Sequence, residues 1–132
     1  MAESIPRVWR NIQARYNLIG VKCEVCKQSF FPPRRICPTC RRKGKLVEEK
    51  MPLTGKIFSF TEVHSAPIGI EFETPYFMAL IELANGVKIL SQIVDSDEEK
   101  IKIGAPVKAV FRRITSGGSE DAIAYGVKFK VV

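Results

Sequence analysis

The chain of 132 residues is long enough for one domain or two small ones, and its 45% of hydrophobic residues is typical of a globular protein. Its net charge of +7 is uneven, because residues 1–50 contain 12 Lys and Arg against 4 Asp and Glu, whereas residues 51–132 contain 9 against 10. No stretch approaches the about 20 apolar residues of a membrane span, and no apolar signal segment opens the chain, so we expect a cytoplasmic protein without a membrane partner. The basic first part predicts a surface that attracts nucleic acid, nucleotide phosphates or an acidic protein, unless it is simply a solvated surface.

Residues 1–17 are predicted to form an amphipathic helix. Ser4 is a plausible N-cap, and Pro6 is tolerated in the first turn. Five apolar side chains recur at offsets that place them on one helical face, namely Ile5, Val8, Trp9, Ile12 and Tyr16. This face packs against the chain's own domain or meets a partner or ligand, and the sequence leaves both alternatives open.

Four cysteines form two Cys-x-x-Cys pairs within residues 18–50, namely Cys23, Cys26, Cys37 and Cys40. Each pair can form a tight turn with both sulfurs on one side, and two such turns complete a tetrahedron around zinc with Zn–S distances of about 2.3 Å. We therefore predict a compact zinc ribbon over residues 18–50, in which the metal is structural because protein ligands occupy every coordination position. Two disulfides or a redox dithiol are the alternatives, but a reducing compartment disfavours the first and a single pair would suffice for the second. Iron fits four thiolates as well as zinc does.

Short apolar segments around the cysteine pairs complete the predicted ribbon. Leu18–Val21 is interpreted as a strand that leads into the first pair, and residues 27–36 are long enough for a strand out and back. Pro32-Pro33 makes a helix between the pairs unfavourable, because each proline restricts the residue before it. We expect Phe30-Phe31 to cover one side of the metal site.

Residues 51–132 show the alternation of β-strands separated by turns. Thr54-Gly55 is interpreted as a turn before the first strand, Asn85-Gly86 predicts a type I′ hairpin turn, and Ser116–Asp121 predicts a polar turn between the last two strands. The capping residue and acidic first turn of residues 95–101 predict a short helix. The predicted strands are Lys56–His64, Tyr76–Ala84, Val87–Val94, Val107–Ile114 and Ala122–Lys130. Three strands, a short helix and two strands are the order of the five-stranded OB-fold barrel, which we expect over residues 51–132.

With the cysteine pairs and the strand order established, the chain resembles the acyl-CoA-associated proteins that join a rubredoxin-like zinc ribbon to an OB-fold and are found beside thiolases. The matching segments are Leu18–Cys23, Phe31–Arg34, Cys37–Cys40, Thr54–Ile57, Thr74–Tyr76 and Ile103–Val107. The resemblance covers essentially the whole chain and implies a mainly β fold, with an N-terminal helix and a rubredoxin-like zinc ribbon followed by a five-stranded OB-fold barrel. Lys27 departs from the pattern, since many ribbons have glycine after the second ligand.

The resemblance implies a non-catalytic subunit that associates with a thiolase-like enzyme and helps to hold or channel acyl-CoA. The residues agree with this. His64 is the single histidine and is expected to be an ordinary strand residue. The sequence shows no nucleophile–base pair and no carboxylate pair. We therefore predict that the protein is not an enzyme. The basic first half is a candidate contact for the CoA phosphates. The loop of residues 66–72 and the Ile5–Tyr16 helix face are candidate contacts for the partner or the acyl chain.

A single-stranded nucleic-acid-binding protein is the alternative function, because OB-folds and zinc ribbons both occur in that role. It is disfavoured, since residues 51–132 have a net charge of −1 and their aromatic side chains are expected mostly in the core. These aromatic residues are Phe58, Phe60, Phe72, Tyr76, Phe77, Phe111, Tyr125 and Phe129. A third alternative is an assembly module without a small ligand.

Overall fold

The computed structural model describes residues 5–67, 71–115 and 124–132. In these residues one helix precedes a three-stranded sheet and a closed five-stranded barrel, which confirms the predicted mainly β fold. The elements are α1 (Ile5–Asn17), β1 (Ile19–Cys23), β2 (Ser29–Phe30), β3 (Leu46–Lys50), β4 (Thr54–Val63), β5 (Tyr76–Leu83), β6 (Lys88–Ile93), β7 (Pro106–Thr115) and β8 (Ala124–Val131), with single 3₁₀ turns at Glu71–Glu73 and Glu98–Lys100.

The predicted N-terminal helix is present as α1, and its apolar face is only partly covered. None of its residues is buried, and Trp9 is 73% exposed. Tyr16 attaches the helix to the barrel through an edge-on contact with Phe111, with ring centroids 5.0 Å apart. Leu18, with a φ of 50°, then turns the chain from the helix into β1. The proposed cap Ser4 lies outside the described residues.

The three-stranded sheet, which we call the ribbon sheet, has the order β2-β1-β3 and is antiparallel. The predicted strand at Leu18–Val21 is present but displaced to Ile19–Cys23, so that it carries the first cysteine at its end. The expected strand out and back between the pairs is wrong, because only Ser29–Phe30 is extended there. The third strand instead follows the second pair at Leu46–Lys50, since the turn around that pair occupies the preceding residues.

The second sheet closes into a barrel with the order β4-β5-β6-β8-β7, and β7 pairs back onto β4. Neighbouring strands are antiparallel except β6 and β8, which are parallel and joined by the single pair Ile93 and Phe129. Three strands, a 3₁₀ turn and two strands follow one another along the chain and close into one barrel, as predicted for the OB-fold, so the fold prediction is confirmed.

The main hydrophobic core lies inside the barrel. Its buried members are Leu18, Met51, Ile57, Ala79, Ile81, Leu83, Val87, Ile89, Ile93, Ile101, Val107 and Phe129. Phe31 packs against this core, whereas Phe30 pairs with Val21 in the ribbon sheet and carries the Arg34 guanidinium 5.4 Å above its ring. The expectation that Phe31 covers the metal site is therefore wrong, because its side chain packs against the barrel core.

Two turn predictions are corrected by the backbone. Thr54-Gly55 is not a turn, because both residues already pair with β7 at the start of β4. The β5–β6 hairpin has a three-residue loop, in which the Gly86 N–H donates to the Leu83 carbonyl at 2.9 Å and the Leu83 N–H donates to that of Val87 at 2.8 Å. Gly86 has a φ of 86° whereas that of Asn85 is not positive, so the loop is a type I turn with a glycine bulge and not the expected type I′ turn.

The short helix expected over residues 95–101 is reduced to one 3₁₀ turn at Glu98–Lys100. Asp95 cannot act as the cap, because its φ of 49° is left-handed and its carboxylate accepts a hydrogen bond from Arg112 at 2.8 Å. Asp97 occupies the cap position, but its carboxylate lies 2.7 Å from the Lys100 Nζ and accepts no capping hydrogen bond from a backbone N–H. The turn expected at Ser116–Asp121 lies outside the described residues.

Candidate metal centre and exposed surfaces

The four cysteine sulfurs lie within 4.8 Å of one another, which brings together all the residues predicted as metal ligands. Cys23 ends β1 and Cys26 follows in the next turn, while Cys37 and Cys40 bracket the second turn. A tetrahedral centre with Zn–S bonds of about 2.3 Å has sulfurs about 3.8 Å apart, so these four sulfurs are positioned to bind one metal ion. Cys23 and Cys37 are buried and the other two are half-buried, so the site is shielded on one side.

The two cysteine turns have the same backbone conformation. The Lys27 N–H donates to the Cys23 carbonyl at 2.9 Å, and the Arg41 N–H donates to the Cys37 carbonyl at 2.8 Å. Lys27 and Arg41 follow the second cysteine of their pairs and have φ values of 61° and 52°, the region that favours glycine. Lys27, which stands where many ribbons have glycine, thus has a left-handed backbone conformation, and Arg41 has the same conformation after the second pair.

The electrostatics of the four thiols are unequal. The Cys26 backbone N–H, as the largest cause, lowers the pKa of Cys23 to about 6. Burial raises the pKa of Cys40 to about 12, with further contributions from the neighbouring thiols. For Cys26 the Gln28 N–H lowers the pKa, but burial and the thiols of Cys37 and Cys23 outweigh it and leave the pKa raised. A cation placed among them would stabilise four thiolates together, which is the chemistry that zinc and iron sites require.

All four cysteines are free, and the sulfurs of Cys26 and Cys37 are 3.5 Å apart. A disulfide requires about 2.05 Å, so the structure does not contain the two alternative disulfides. Gly44 lies against the site so closely that an added Cβ would meet the Cys37 Cβ at 2.8 Å and the Cys40 Cβ at 3.1 Å. The chain therefore fits a metal ion and leaves little room for a larger residue beside it.

A basic cluster surrounds the second cysteine turn. Its exposed members are Arg34, Arg35, Arg41, Arg42 and Lys43. Two other ribbon lysines are paired with carboxylates, Lys22 with Glu49 at 3.8 Å and Lys45 with Glu24 at 3.3 Å. Five of the 12 Lys and Arg residues within residues 1–50 therefore lie in or beside the second cysteine turn, and all five are exposed.

Several aromatic side chains expected in the core are exposed, namely Phe58 (47%), Phe60 (40%), Phe72 (96%), Phe111 (47%) and Tyr125 (39%). Tyr76 and Phe129 are buried, and Phe77 is partly buried against the core. The expectation of a core position is therefore wrong for these five residues. Phe111 and Tyr125 stack on each other with ring centroids 5.7 Å apart, and Phe72 lies in the 3₁₀ turn Glu71–Glu73.

His64 is also placed differently from the sequence-based expectation. It lies just after β4, its side chain is 72% exposed, and its Nε2 is 3.5 Å from a carboxylate oxygen of Glu62. His64 is therefore an exposed residue beyond the end of the strand and not an ordinary strand residue. Among the described residues, the helix is not long and apolar enough to cross a membrane.

A polar groove of about 570 Å³ lies beside β6, β7 and β8, and sequence reasoning missed it. Its charged lining residues are Glu73, Asp95, Glu98, Arg112, Arg113 and Lys128. Lys128 is only 5% exposed, and its Nζ is 3.2 Å from the carboxylate of Glu73. Strand alternation predicts only that Lys128 and Phe129 face opposite sides, and no local signal shows that Glu73, 55 residues earlier, covers this lysine.

Two family models match the chain, one described as "ChsH2, rubredoxin-like zinc ribbon domain" over residues 11–46 and the other as "ChsH2, C-terminal OB-fold domain" over residues 48–112. A DUF35 domain-containing scaffold protein of Methanocaldococcus jannaschii is 47% identical over 97% of this chain and 91% of that protein. A solved chain described as "Ltp2-ChsH2(DUF35) aldolase" is similar with a TM-score of 0.70 and 26% identity, over 99% of this chain and 96% of that chain.

More distant relatives have the names of acyl-CoA enzymes. The benzoylsuccinyl-CoA thiolase subunit BbsA of Thauera aromatica is 32% identical over 58% of this chain and 51% of that protein. A probable enoyl-CoA hydratase alpha subunit of Thermomonospora curvata is 32% identical over 75% of this chain but only 30% of that protein. The full-length matches confirm the resemblance found in the sequence: the chain belongs to the DUF35 scaffold protein family, in which a ChsH2-type zinc ribbon is joined to an OB-fold.

Proposed function

We propose that this protein is a non-catalytic scaffold subunit that binds a thiolase-like acyl-CoA enzyme and helps to hold its acyl-CoA. The observation that carries the proposal is that proteins named as scaffolds match ribbon and barrel together, over 97% of this chain. The hydratase alpha subunit, in contrast, is matched over only 30% of its length. The kind of partner is inferred from the names of two similar proteins, a thiolase subunit and an aldolase.

Helix α1 is the proposed contact with the enzyme. Its apolar residues Ile5 and Trp9 are 60% and 73% exposed, although both belong to the face that the sequence marks as apolar. Exposed aromatic side chains with few rotatable bonds are frequent energetic centres of protein interfaces. Val8, Ile12 and Tyr16 of the same face are partly buried, so a partner that covered Ile5 and Trp9 would complete the burial of the apolar stripe.

The basic cluster at the second cysteine turn is the proposed contact with the CoA phosphates. Arg34, Arg41 and Arg42 present guanidinium groups, which bind phosphate oxygens in a bidentate manner. A metal bound by the four cysteines would hold this cluster in place by fixing the turn that carries it. In this proposal the ion, zinc in preference to iron, is structural, because four protein thiolates fill its coordination positions.

A non-catalytic role agrees with the titratable groups that the structure describes. The four cysteines converge on one another as metal ligands, and exposed His64 has Glu62 beside it. Neither arrangement pairs a nucleophile with a base and a third orienting group. We include the cytoplasm in the proposal, in line with the reduced cysteines that a metal site needs.

The test is binding to individually produced thiolase-like enzymes of the source organism, measured by calorimetry with and without acetyl-CoA and a longer acyl-CoA. We expect one of these enzymes to bind, with tighter acyl-CoA binding in the complex than in either protein alone. Binding of the enzyme without any CoA dependence would leave only the assembly role. Binding of none of them would refute the proposal.

Single-stranded nucleic acid is the second candidate ligand, and one observation favours it. The exposed ring of Phe58 has the Lys88 ammonium 4.1 Å from its centroid, a combination of aromatic and cation that also suits stacked bases. A titration with labelled oligonucleotides at several salt concentrations separates the candidates, because phosphate contacts make affinity fall steeply with salt. Micromolar, salt-dependent binding without sequence preference would favour this role.

A further inference from the structure

The segment between β4 and β5 presents the most exposed large apolar side chain of the described residues. Phe72 is 96% exposed and lies in the middle of the 3₁₀ turn Glu71–Glu73. A phenylalanine left in water forgoes the favourable free energy that burial of its ring would provide. An exposed side chain on a loose loop needs no binding role, so the contacts that hold the Phe72 turn decide whether Phe72 is a binding element.

The turn that carries Phe72 is tied to the barrel by its own side chains. One carboxylate oxygen of Glu73 accepts a hydrogen bond from Gln92 Nε2 at 2.9 Å and from Lys128 Nζ at 3.2 Å. The Thr74 hydroxyl donates to the Glu71 carbonyl at 2.8 Å and closes the turn from the other side. Phe72 is therefore attached to β6 and β8 through its immediate neighbour.

Lys128 makes this attachment unusual. Its side chain is 6% exposed, whereas that of Glu73 is 38% exposed, so the pair is desolvated mainly on the lysine side. Desolvating an ammonium group costs so much that buried ion pairs add little net stability, and their best-supported use is to select one geometry. The geometry selected here is the position of the turn, and the side chain that the turn projects is Phe72.

The charges around the groove argue against a small anionic ligand as the purpose of Lys128. Asp95 pairs with Arg112 at 2.8 Å and Glu73 pairs with Lys128, so two of the cations in the groove are already neutralised. A phosphate would have to displace a carboxylate from the buried lysine. The pair acts instead as an internal fastening of the Phe72 turn.

The same strand supports both exposed apolar elements. Tyr125 on β8 stacks on Phe111, which contacts Tyr16 of α1, and Lys128 on β8 holds the Phe72 turn. Because Tyr125 and Lys128 are three residues apart, their side chains leave opposite faces of β8, so α1 and the Phe72 turn are supported from different sides of this strand.

We propose that Phe72 is a preorganised anchor that inserts into an apolar pocket on the enzyme partner, and that Glu73 and Lys128 hold it ready. This rests on the scaffold function proposed above. Because Phe72 is apolar and 96% exposed, the receiving pocket on the enzyme is lined by apolar groups. Holding the turn before binding reduces the ordering cost that a loose loop would incur.

The first test follows the turn without any partner. Trp9 is the single tryptophan, so a Trp9→Phe, Phe72→Trp chain reports on position 72 alone. Its fluorescence should show solvent exposure with little fast local motion in time-resolved anisotropy. Adding Glu73→Ala with Lys128→Met, which removes the fastening without leaving a buried ammonium unpaired, should increase that local motion at least twofold. Equal motion in both chains would overturn the fastening.

The second test measures affinity for a thiolase-like enzyme that the wild-type chain binds. Phe72→Ala should weaken binding about tenfold to a hundredfold, as is usual when a central aromatic anchor is removed. The Glu73→Ala, Lys128→Met variant should weaken it several-fold while Phe72 is intact. Ile103→Ala is the matched control, because Ile103 is 72% exposed on a different turn and should change affinity less than twofold.

The outcomes separate this inference from the function on which it rests. If the wild-type chain binds an enzyme and Phe72→Ala binds equally well, Phe72 is no anchor, although the scaffold function stands. If Ile103→Ala weakens binding as much as Phe72→Ala, the assignment to Phe72 is also overturned. If the wild-type chain binds none of the thiolase-like enzymes, the scaffold function itself is refuted.

Discussion

The ribbon and the barrel are held together by different means. In the ribbon, residues 18–50, the buried residues that the structure describes are Leu18, Gly20, Val21, Cys23 and Cys37. The barrel strands bury an extended cluster of aliphatic side chains around Phe129, which is fully buried. A segment with so little apolar burial cannot offset its conformational entropy, so we expect the ribbon to depend on a bound metal and the barrel to depend on packing. We therefore expect the stabilities of these two neighbouring units to respond to different treatments.

Removing the metal is the most direct way to break this comparison. We expect the purified protein to contain one metal ion per chain, and a strong chelator or Cys37→Ser to unfold the ribbon sheet. Metal binding contributes on the order of 10 kcal/mol in zinc-finger peptides, more than the ribbon core can replace. Hydrogen exchange should show loss of protection in β1 and β3 with β5 and β6 still protected. Thr39→Ser, in the same turn, is the control, and ribbon amides that stay protected without metal would contradict the prediction.

Phe129→Ala is the converse experiment, because it destabilises the barrel and leaves the metal ligands unchanged. Truncating a fully buried phenylalanine costs about 3–5 kcal/mol through lost burial and a residual cavity. Urea unfolding monitored on the barrel should show this loss, while the metal content of the folded protein stays unchanged. A proportional loss of metal would show that the two units unfold as one.

Gly44→Ala tests how closely the ribbon is fitted around its metal. The new methyl group would lie 2.8 Å from the Cys37 Cβ, so the cysteine turn must shift. We expect metal affinity to fall about tenfold to a hundredfold, as for disturbed neighbours of other metal ligands. Competition with a chromogenic chelator measures this, with Lys43→Ala as the neighbouring control. An unchanged affinity would mean that the turn has room to spare.

Lys27→Gly should stabilise the ribbon by about 1 kcal/mol, because glycine adopts a φ of 61° without the steric cost that a side chain incurs. Arg41→Gly should behave in the same way, while Lys45→Gly, where φ is not positive, should give no gain. Chelator-dependent unfolding of the three variants makes the comparison. Equal effects at Lys27 and Lys45 would contradict a backbone origin.

Asp95→Asn should have the smallest effect, confined to the barrel and to pH. The Arg112 guanidinium, as the largest cause, lowers the pKa of Asp95 below 3.8. The folded state therefore gains stability from the charged carboxylate above that pH and loses it as the pH falls through the lowered pKa. The variant should melt slightly below the wild type at neutral pH, and the difference should vanish in acid. Asparagine accepts the left-handed φ, so a difference that persists in acid would point to another cause.

The sequence was sufficient for the features that have a repeating or spaced signal. The amphipathic helix, the convergence of four cysteines and the strand order of the barrel all follow from periodicity or from fixed spacing. The boundaries proposed at residues 17/18 and 50/51 stay predictions, although the two sheets fall on either side of the second.

The sequence was insufficient where a distant residue decides the outcome. Asp95 looked like a helix cap, but Arg112 on β7 takes its carboxylate. Alternation along β8 places Lys128 on the side opposite Phe129, but no local signal shows that Glu73 covers this lysine. The β5–β6 turn failed for a local reason, because Asn-Gly fits a three-residue loop as well as a two-residue one. Phe31 was assigned to the wrong side, since its sequence neighbours are cysteines whereas its spatial neighbours belong to the barrel core.

The position of Phe31 has a consequence for how the protein matures in the cell. Together with Leu18 it is a ribbon residue that completes the barrel's apolar interior. A newly made chain that lacks its ion would leave this side of the interior uncovered, and exposed apolar surface attracts chaperones and proteases. Ion supply would then limit how many chains reach the complete fold.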